Sequence, residues 1–350
     1  MMMDSMNPKE SVRDDPVLDD LDRRLVQALM IDGRASFTRL SEVLGVSDQT
    51  VQRRYRRMRG EGLLRVVGLP VGSRVGLFES WLRVRCAPSA ARAVAKALAR
   101  RPDIAWVTIS GGGGDVHAMT RARTRQDRDT LLLDRLPRTE QVREVGAHTI
   151  LRKFFGGPDP WPGVDFLSVA QVAALTPPAP EPSPGRYALD AAESRLMALL
   201  AQDGRTPRPA LARATGLSES TVGRRVDRLV AEGALFFDLE LIPRHFGYET
   251  EATVLLTVDP ARLAEVGTAL AGHVEVPFAA AVTGSANLLA VVVCADTLHL
   301  YTYLTERLGP LPGVRQLEVI PALRSLKRAG MLVTDDRLTD PPTAGSWSGA

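Results

Sequence analysis

The stretch Gly45-Val-Ser-Asp-Gln-Thr-Val-Gln-Arg-Arg-Tyr-Arg-Arg57 decides the fold of this chain. Before it, apolar residues spaced three and four apart predict helices over 18–31 and 37–44. Its first glycine suits a tight turn, and Ser47 can cap a third helix that runs to about Gly60. Two short helices joined by a glycine-containing turn are typical of a helix-turn-helix, so we predict that motif here.

The predicted third helix has two faces of opposite character. At 100° per residue, Val51, Tyr55 and Met58 share the side expected to pack on the first two helices. The other side is basic and carries amides, which suits the DNA major groove because Arg can bind guanine and Gln can bind adenine. A merely solvated basic helix is the alternative, which the turn and the cap disfavour. The predicted DNA-binding residues are Ser47, Gln49, Thr50, Gln52, Arg53, Arg54, Arg56 and Arg57.

The same pattern recurs later in the chain. Asp32-Gly33-Arg34 returns as Asp203-Gly204-Arg205, an offset of 171 residues that the motif keeps without a gap. In the second copy Asp227 replaces Arg56 and Gly223 replaces Gln52, so we expect weaker DNA binding there, since a carboxylate repels phosphate. The corresponding residues of the second copy are Ser218, Ser220, Thr221, Arg224, Arg225 and Arg228.

Each helix-turn-helix is followed by alternating strands and helices. In the second half, strands are predicted over 252–258, 274–283 and 287–293, with a last strand through Ile320. Helices are expected between the first and second strands and again before the last. The order β-α-β-β-α-β is that of a ferredoxin-like domain, and the first half follows it over 78–151. The predicted fold class is α+β, with two repeats of a helix-turn-helix plus a ferredoxin-like domain.

The helix-turn-helix motifs resemble those of the Lrp/AsnC (feast/famine) family of regulators. Gly45-Val-Ser47, Thr50-Val-Gln-Arg-Arg54 and Glu61-Gly62 carry the resemblance in the first half. Gly216-Leu-Ser218 and Thr221-Val-Gly-Arg-Arg225 carry it in the second half. The resemblance implies a transcriptional regulator that binds double-stranded DNA and responds to an amino acid or related metabolite. It also implies pairing of the two ligand domains within the chain and further assembly into a homo-oligomer.

Domain boundaries follow from the repeat and from this resemblance. The predicted segments are a disordered arm over 1–17, a helix-turn-helix over 18–65, a ligand-binding domain over 66–157, a Pro-rich linker over 158–186, a second helix-turn-helix over 187–236, a second ligand-binding domain over 237–330 and a tail over 331–350. The linker prediction depends on the five prolines between Thr176 and Gly185, a composition that favours a semi-extended chain.

The resemblance also suggests where an effector binds. The family has a Thr-Gly-x-x-Asp turn between the second and third strands of its ligand domain, where glycines let backbone amides approach a carboxylate. The first copy lacks the threonine, and the second has Asn287 in place of the acid, so the two sites are expected to differ. A hairpin turn that merely needs glycine remains the alternative. The predicted ligand-binding residues are Gly112, Gly113, Gly114, Asp115, Thr283, Gly284, Ser285 and Asn287.

Composition limits the other function classes. Net charge is only +3, and the two cysteines, Cys86 and Cys294, lie far apart without metal-site spacing, so no metal or cofactor is predicted. The chain has no stretch that looks like a signal peptide or a membrane span, which favours a cytoplasmic protein.

An enzyme is the main rival class, because siroheme decarboxylases resemble this family and also occur as two linked units. They carry a His-Asn-Tyr stretch near the second strand, whereas this chain has no histidine at 105–108 or 279–282. We therefore predict that the chain is not an enzyme. His117 could face a ligand, although a packed strand histidine is the simpler interpretation. A metabolite-binding module without DNA binding is the third class.

Overall fold

The computed structural model describes residues 18–340 and contains two similar units, each with a helical head and a mixed α/β domain. The predicted arm over 1–17 and the end of the predicted tail lie outside the described residues. In the first unit the elements are α1 (Asp20–Ile31), α2 (Phe37–Leu44), α3 (Asp48–Gly60), β1 (Leu64–Pro70), α4 (Gly72–Val75), β2 (Phe78–Cys86), α5 (Ala91–Ala99), β3 (Ile104–Ser110), β4 (Asp115–Ala122), α6 (Arg125–Asp129) and β5 (Val142–Phe155).

A connecting helix leads to the second unit, which repeats this order. The elements are α7 (Val169–Leu175), α8 (Ala191–Gln202), α9 (Arg208–Thr215), α10 (Glu219–Ala231), β6 (Leu235–Leu241), β7 (Thr250–Val258), α11 (Leu263–Ala271), β8 (Phe278–Val282), β9 (Leu288–Cys294), α12 (Thr297–Thr302), β10 (Val314–Arg328), β11 (Met331–Thr334) and β12 (Arg337–Thr339).

Local signals set the geometry of each head. The backbone N–H of Thr50 donates to Ser47 Oγ at 3.2 Å, and the N–H of Thr221 donates to Ser218 Oγ at the same distance. These bonds satisfy free N–H groups at the start of α3 and α10. The glycine before each of these helices has φ near +70°, a conformation that strains other residues. Both turns therefore form a helix-turn-helix.

The two heads are joined by a two-stranded ribbon. Strands β1 and β6 pair antiparallel from Leu64 opposite Leu241 to Pro70 opposite Leu235. The repeated Asp-Gly-Arg turns cross beside it: Arg34 Nη1 donates to the carbonyl of Gly204 at 2.6 Å. In the other direction, Arg205 donates to the carbonyls of Gly33 at 2.7 Å and Ala35 at 2.9 Å. The heads are therefore held in one mutual orientation.

Arg205 is expected to stabilise this junction strongly. Its guanidinium also lies 4.6 Å from the Phe37 ring centroid and 5.3 Å from that of Tyr55. Removing two charge-assisted hydrogen bonds and the ring contacts with Arg205→Ala should lower the free energy of unfolding by about 3 kcal/mol. Urea denaturation measures this change. Arg213→Ala, an exposed substitution on α9, is the control, and equal midpoints for the two variants would contradict the prediction.

The two α/β domains share a closed ring of strands. The first half of β5 pairs with β2 and its second half with β8, while β10 pairs with β7 and then with β3. The switch pairs, Ile150 with Val282 and Ala322 with Ser110, are related by an offset of 172 residues. The last strand of each domain thus continues into the sheet of the other domain. The order of strands around the ring is β10-β3-β4-β2-β5-β8-β9-β7. The α+β fold with two repeats is confirmed.

Apolar cores lie on both sides of this ring. Helix α5 covers the first sheet through Val94 and Leu98, and α11 covers the second through Val266 and Leu270. A third cluster lies between the two sheets and contains Trp81, Met119, Leu255, Ala280, Val282, Leu289 and Ile320. The helices are therefore outside, and the space enclosed by the sheets is left for the site described below.

The structure differs from the predicted domain boundaries in two segments. The linker predicted over 158–186 contains α7, and Leu167, Val172 and Leu175 pack into the core of the first head. The tail predicted from residue 331 begins with the hairpin of β11 and β12, because Met331 and Leu338 are buried beside the ribbon. Both segments carry apolar side chains whose partners lie far away in sequence, which the composition of each segment does not show.

Candidate functional site

The outer face of α3 is open to solvent. Gln49, Arg53 and Arg56 are exposed, whereas Val51 and Met58 on the opposite face are buried. The Arg56 guanidinium donates to Gln52 Oε1 at 3.0 Å, which lines up an amide and a cation along the helix. Helix α7 packs on α1 and α2 rather than on this face. The predicted DNA-contacting stripe is therefore accessible.

Two of the predicted DNA-binding arginines point elsewhere. Arg54 Nη1 lies 2.6 Å from an Asp19 carboxylate oxygen and 2.9 Å from Asp22 Oδ1, and Arg57 Nη2 lies 2.6 Å from Asp22 Oδ2. Hydrogen bonding by the Arg54 guanidinium lowers the pKa of the Asp19 carboxyl. The Asp22 side chain is only 2% exposed, so these pairs fasten α3 to the start of α1. Arg54 and Arg57 thus position the helix that carries Arg53 and Arg56.

The second head repeats this arrangement with a weaker basic face. Arg225 pairs with Asp190, as Arg54 does with Asp19, while Ser220 and Arg224 are exposed. Arg228 lies over the Tyr187 ring at 5.6 Å. Asp227 is exposed on the same face, 4.0 Å from Arg208. The negative charge of Asp227 reduces the potential that this face presents to a phosphate backbone.

The first predicted ligand turn lies between β3 and β4. Gly112 and Gly113 have positive φ, and no neighbouring atom lies within 4 Å of where a side chain would begin. Asp115 is buried and bound by Arg83, whose Nη2 lies 2.7 Å from Asp115 Oδ2 and whose Nη1 reaches Glu318 of the other domain. The turn is open, but its carboxylate already has a cationic partner.

The polar groups of the second predicted turn, between β8 and β9, form hydrogen bonds to other parts of the protein. The Thr283 carbonyl lies 2.7 Å from His148 Nδ1, and Thr283 Oγ1 accepts from the Thr149 N–H at 2.9 Å. The Asn287 side chain bonds both the N–H and the carbonyl of Val258, at 2.9 and 2.8 Å. Asn287 is thereby committed to holding the end of β7. Gly284 and Ser285 are exposed at the tip.

A cavity of about 210 Å³ lies between the two α/β domains and the ribbon. Strand β6 forms one wall, strands of both sheets form the others, and the segment 156–161 lies beside it. Both predicted glycine turns lie within residues 110–115 and 282–291. Of these residues only Leu289 and Val291 line the cavity, so the predicted turns lie outside it. Its aromatic lining residues are Trp81, Trp106, Phe155, Trp161 and Phe278.

Buried and partly buried ionic groups surround this cavity. Arg328 Nε lies 2.7 Å from Glu240 Oε1, and its Nη1 lies 2.9 Å from Glu251 Oε2. Glu79 Oε1 lies 2.8 Å from Lys153 Nζ and 3.2 Å from Arg121 Nε. Burial lowers the pKa values of Lys153 and Arg121, whereas the two carboxylates raise that of Arg328. Charged groups kept in such an interior need close partners.

Comparison with known proteins identifies the domains. The AsnC-type helix-turn-helix domain matches residues 18–59 and 189–230, and the Lrp/AsnC ligand binding domain matches residues 251–332. An uncharacterized helix-turn-helix transcriptional regulator of Pyrococcus horikoshii, PH0140, is 31% identical over 150 residues, which cover 43% of this chain and 94% of that protein. The chain belongs to the Lrp/AsnC family. The transcriptional regulator FL11 of Pyrococcus abyssi is 27% identical over 41% of this Lrp/AsnC chain and 94% of its own length.

A solved structure matches the Lrp/AsnC chain over both of its units. The crystal structure of the siroheme decarboxylase NirDL covers 89% of this chain and 93% of its own, with a TM-score of 0.59 and 13% identity. At that identity the match shows the two-unit fold alone. Within residues 18–340 of this family member, every helix is too short or too polar to cross a membrane.

Sequence reasoning missed the cavity of this Lrp/AsnC chain for a clear reason. Its charged residues come from six strands and the segment after β5, and they are widely separated in sequence, so no local motif connects them. His117, which the sequence marks as a histidine that could face a ligand, lines the cavity. An informative signal was available in the ribbon strand, where Asp238 and Glu240 alternate with the apolar residues Phe237, Leu239 and Leu241.

Proposed function

We propose that this chain is a ligand-responsive transcriptional regulator, a tandem form of the Lrp/AsnC family that binds double-stranded DNA. The exposed stripe of Gln49, Arg53 and Arg56 carries the proposal, because a cationic and amide-bearing helix face can bind bases and phosphates. The stripe on α10, with Ser220, Arg224 and Arg228, would contact a second and weaker half-site. A protein acting on chromosomal DNA would work in the cytoplasm.

The fixed spacing of the heads supports a bipartite operator. Because the ribbon and the crossed arginines hold both heads, the two recognition helices would reach DNA as one unit. The two ligand domains would play the part of a homodimer within one chain, and whole chains would associate further into a homo-oligomer. An amino acid or related metabolite is the proposed effector.

Salt dependence of duplex binding tests this function. Genomic footprinting of the full chain supplies operator fragments, and fluorescence anisotropy measures their dissociation constants between 50 and 200 mM salt, a range that strongly affects phosphate contacts. For about five neutralised phosphates, the logarithm of the binding constant should fall with a slope near −4.5 against the logarithm of salt concentration. A scrambled duplex is the control. Failure to bind footprinted fragments more tightly than the scrambled duplex would contradict the proposal.

A siroheme-decarboxylase-like enzyme is the competing function, and the shared fold with NirDL supports only the architecture. Residues 105–108 and 279–282 lie on the second strands of the two domains and contain no histidine to act there as an acid or base. We therefore propose a non-enzymatic role. Release of carbon dioxide from siroheme by the purified chain would contradict it.

A further inference from the structure

The cavity beside the ribbon has an excess of acid. Its charged lining comprises five carboxylates and three cationic side chains, namely Glu79, Asp159, Asp238, Glu240, Glu251, Arg121, Lys153 and Arg328. Arg121 and Lys153 are both close to Glu79, while a single guanidinium, Arg328, serves Glu240 and Glu251. The end of the cavity near β6 is therefore short of positive charge.

Asp238 is the carboxylate at that end that does not share the Arg328 guanidinium. It lies two residues before Glu240 on β6, and side chains two apart share one face of a strand. Among residues 18–340, no Arg, Lys or His forms an ion pair with it, although the Arg121 guanidinium, which is bound to Glu79, lowers its pKa slightly through charge. Burial, followed by the charge of Glu240, raises the pKa of Asp238 to about 7. A bound cation would relieve this cost by supplying the missing partner.

A second polar group in the cavity also lacks a partner. His117 is 4% exposed and lines the cavity, yet its Nε2 has no hydrogen-bond partner among the described residues. Its Nδ1 lies 3.4 Å from Thr253 Oγ1, and its ring lies 4.7 Å from that of Trp81. Buried polar atoms are rarely left unbonded, so His117 Nε2 is available to an occupant.

We propose that this cavity binds a small organic amine with an aromatic or branched apolar body. Asp238 would bind the ammonium group, His117 Nε2 would make a further polar contact, and the aromatic walls would enclose the apolar part. Aromatic faces also attract cations, which adds to the preference for an ammonium ion. This site is separate from the glycine turns.

The position of Asp238 gives such a ligand a route to the DNA-binding heads. Asp238 lies opposite Val67 in the ribbon, and the two ribbon strands begin shortly after α3 and α10. An amine bound to Asp238 would favour the ribbon arrangement that brings this carboxylate closest. This step rests on the proposed regulatory function, since a ligand shifts an equilibrium only through different affinities for two arrangements.

Three probes of similar shape test the charge preference. Isothermal titration calorimetry of the full chain without DNA would compare 2-phenylethylamine, L-phenylalanine and 3-phenylpropionate. We expect the amine to bind at least tenfold more tightly than the carboxylate, with the zwitterion between them. Equal affinities, the reverse order or no heat with the amine at millimolar concentration would overturn the proposal.

A single isosteric change tests the role of Asp238. Asp238→Asn should weaken amine binding at least tenfold, whereas Asp134→Asn, on the outer surface and 3.9 Å from Arg138, should leave it unchanged. At pH 8 the folded wild-type chain holds an ionised, partly buried carboxylate without an ion-pair partner, so Asp238→Asn should keep or raise Tm, which reports intact folding. Unchanged amine affinity in this folded variant would rule out Asp238 as the ammonium site.

DNA binding is measured separately, so the two proposals can fail independently. With saturating 2-phenylethylamine, the affinity of the full chain for a footprinted duplex should change at least threefold, and Asp238→Asn should abolish that change. Amine binding by a chain that binds no duplex would support the cavity site and contradict the regulator. Duplex binding without amine binding would do the opposite.

Discussion

Reversing the charges of Arg53 and Arg56 together, with Arg53→Glu and Arg56→Glu, is expected to weaken operator binding about 100-fold. Each base or phosphate contact of this kind contributes about 1–3 kcal/mol, and a carboxylate in its place adds repulsion. Both side chains are exposed and outside the ion pairs that hold α3 to α1, so the head should stay folded. Fluorescence anisotropy with a footprinted duplex measures the loss, and circular dichroism checks the fold.

The second head supplies a matched comparison. Arg224→Glu and Arg228→Glu occupy the corresponding face of α10, where Asp227 already lowers the positive potential, so we expect a loss of only about tenfold. Equal losses for the two double variants would contradict the ranking of the heads. Unchanged affinity in the α3 variant would contradict the proposed interface itself.

Replacing Arg328 with methionine is expected to lower the free energy of unfolding by about 3–5 kcal/mol. Breaking a buried ion pair on one side leaves an uncompensated charge, and Arg328→Met would leave Glu240, 8% exposed, and Glu251 without a cation. Urea denaturation gives the difference from wild type. Arg328→Lys keeps the charge and should recover part of the loss.

An exposed pair on the same strand is the control for this substitution. Arg315 binds Asp259 with two hydrogen bonds of 2.9 and 2.8 Å, but its side chain is 67% exposed. Water screens an exposed pair and its long side chains lose freedom when they pair, so Arg315→Met should have little effect. Similar losses for both variants would show that burial of Arg328 is not what makes its pairs important.

The helix-turn-helix could be predicted because its determinants are local. Ser47 and Ser218 each accept a hydrogen bond from the backbone N–H three residues later, and each glycine turn directly precedes the helix that it starts. The inward direction of Arg54 was harder to foresee, because its acceptors lie 32 and 35 residues earlier. The repeat contained a usable signal, since Asp19 and Arg54 recur together as Asp190 and Arg225.

The ring of strands and the cavity could not be predicted in the same way. The spacing indicated a last strand in each domain but not that β5 and β10 continue into the opposite sheet. That pairing depends on contacts between halves of the chain. The ion pairs of Glu79 with Lys153 and of Glu240 with Arg328 lie within one half each, but they join strands that are 74 and 88 residues apart. A register between distant strands leaves little trace in local periodicity.

Exchange of β5 and β10 between the two domains has a consequence for evolution and dosage. In a regulator assembled from separate identical subunits, a change in one head appears in both, and pairing weakens on dilution. Here the partner is tethered, so its effective concentration stays high however few copies a cell contains. Each half can then acquire its own substitutions, as Asp227 and Gly223 illustrate. The tethered halves pair with each other, so pairs of two identical halves do not compete with them.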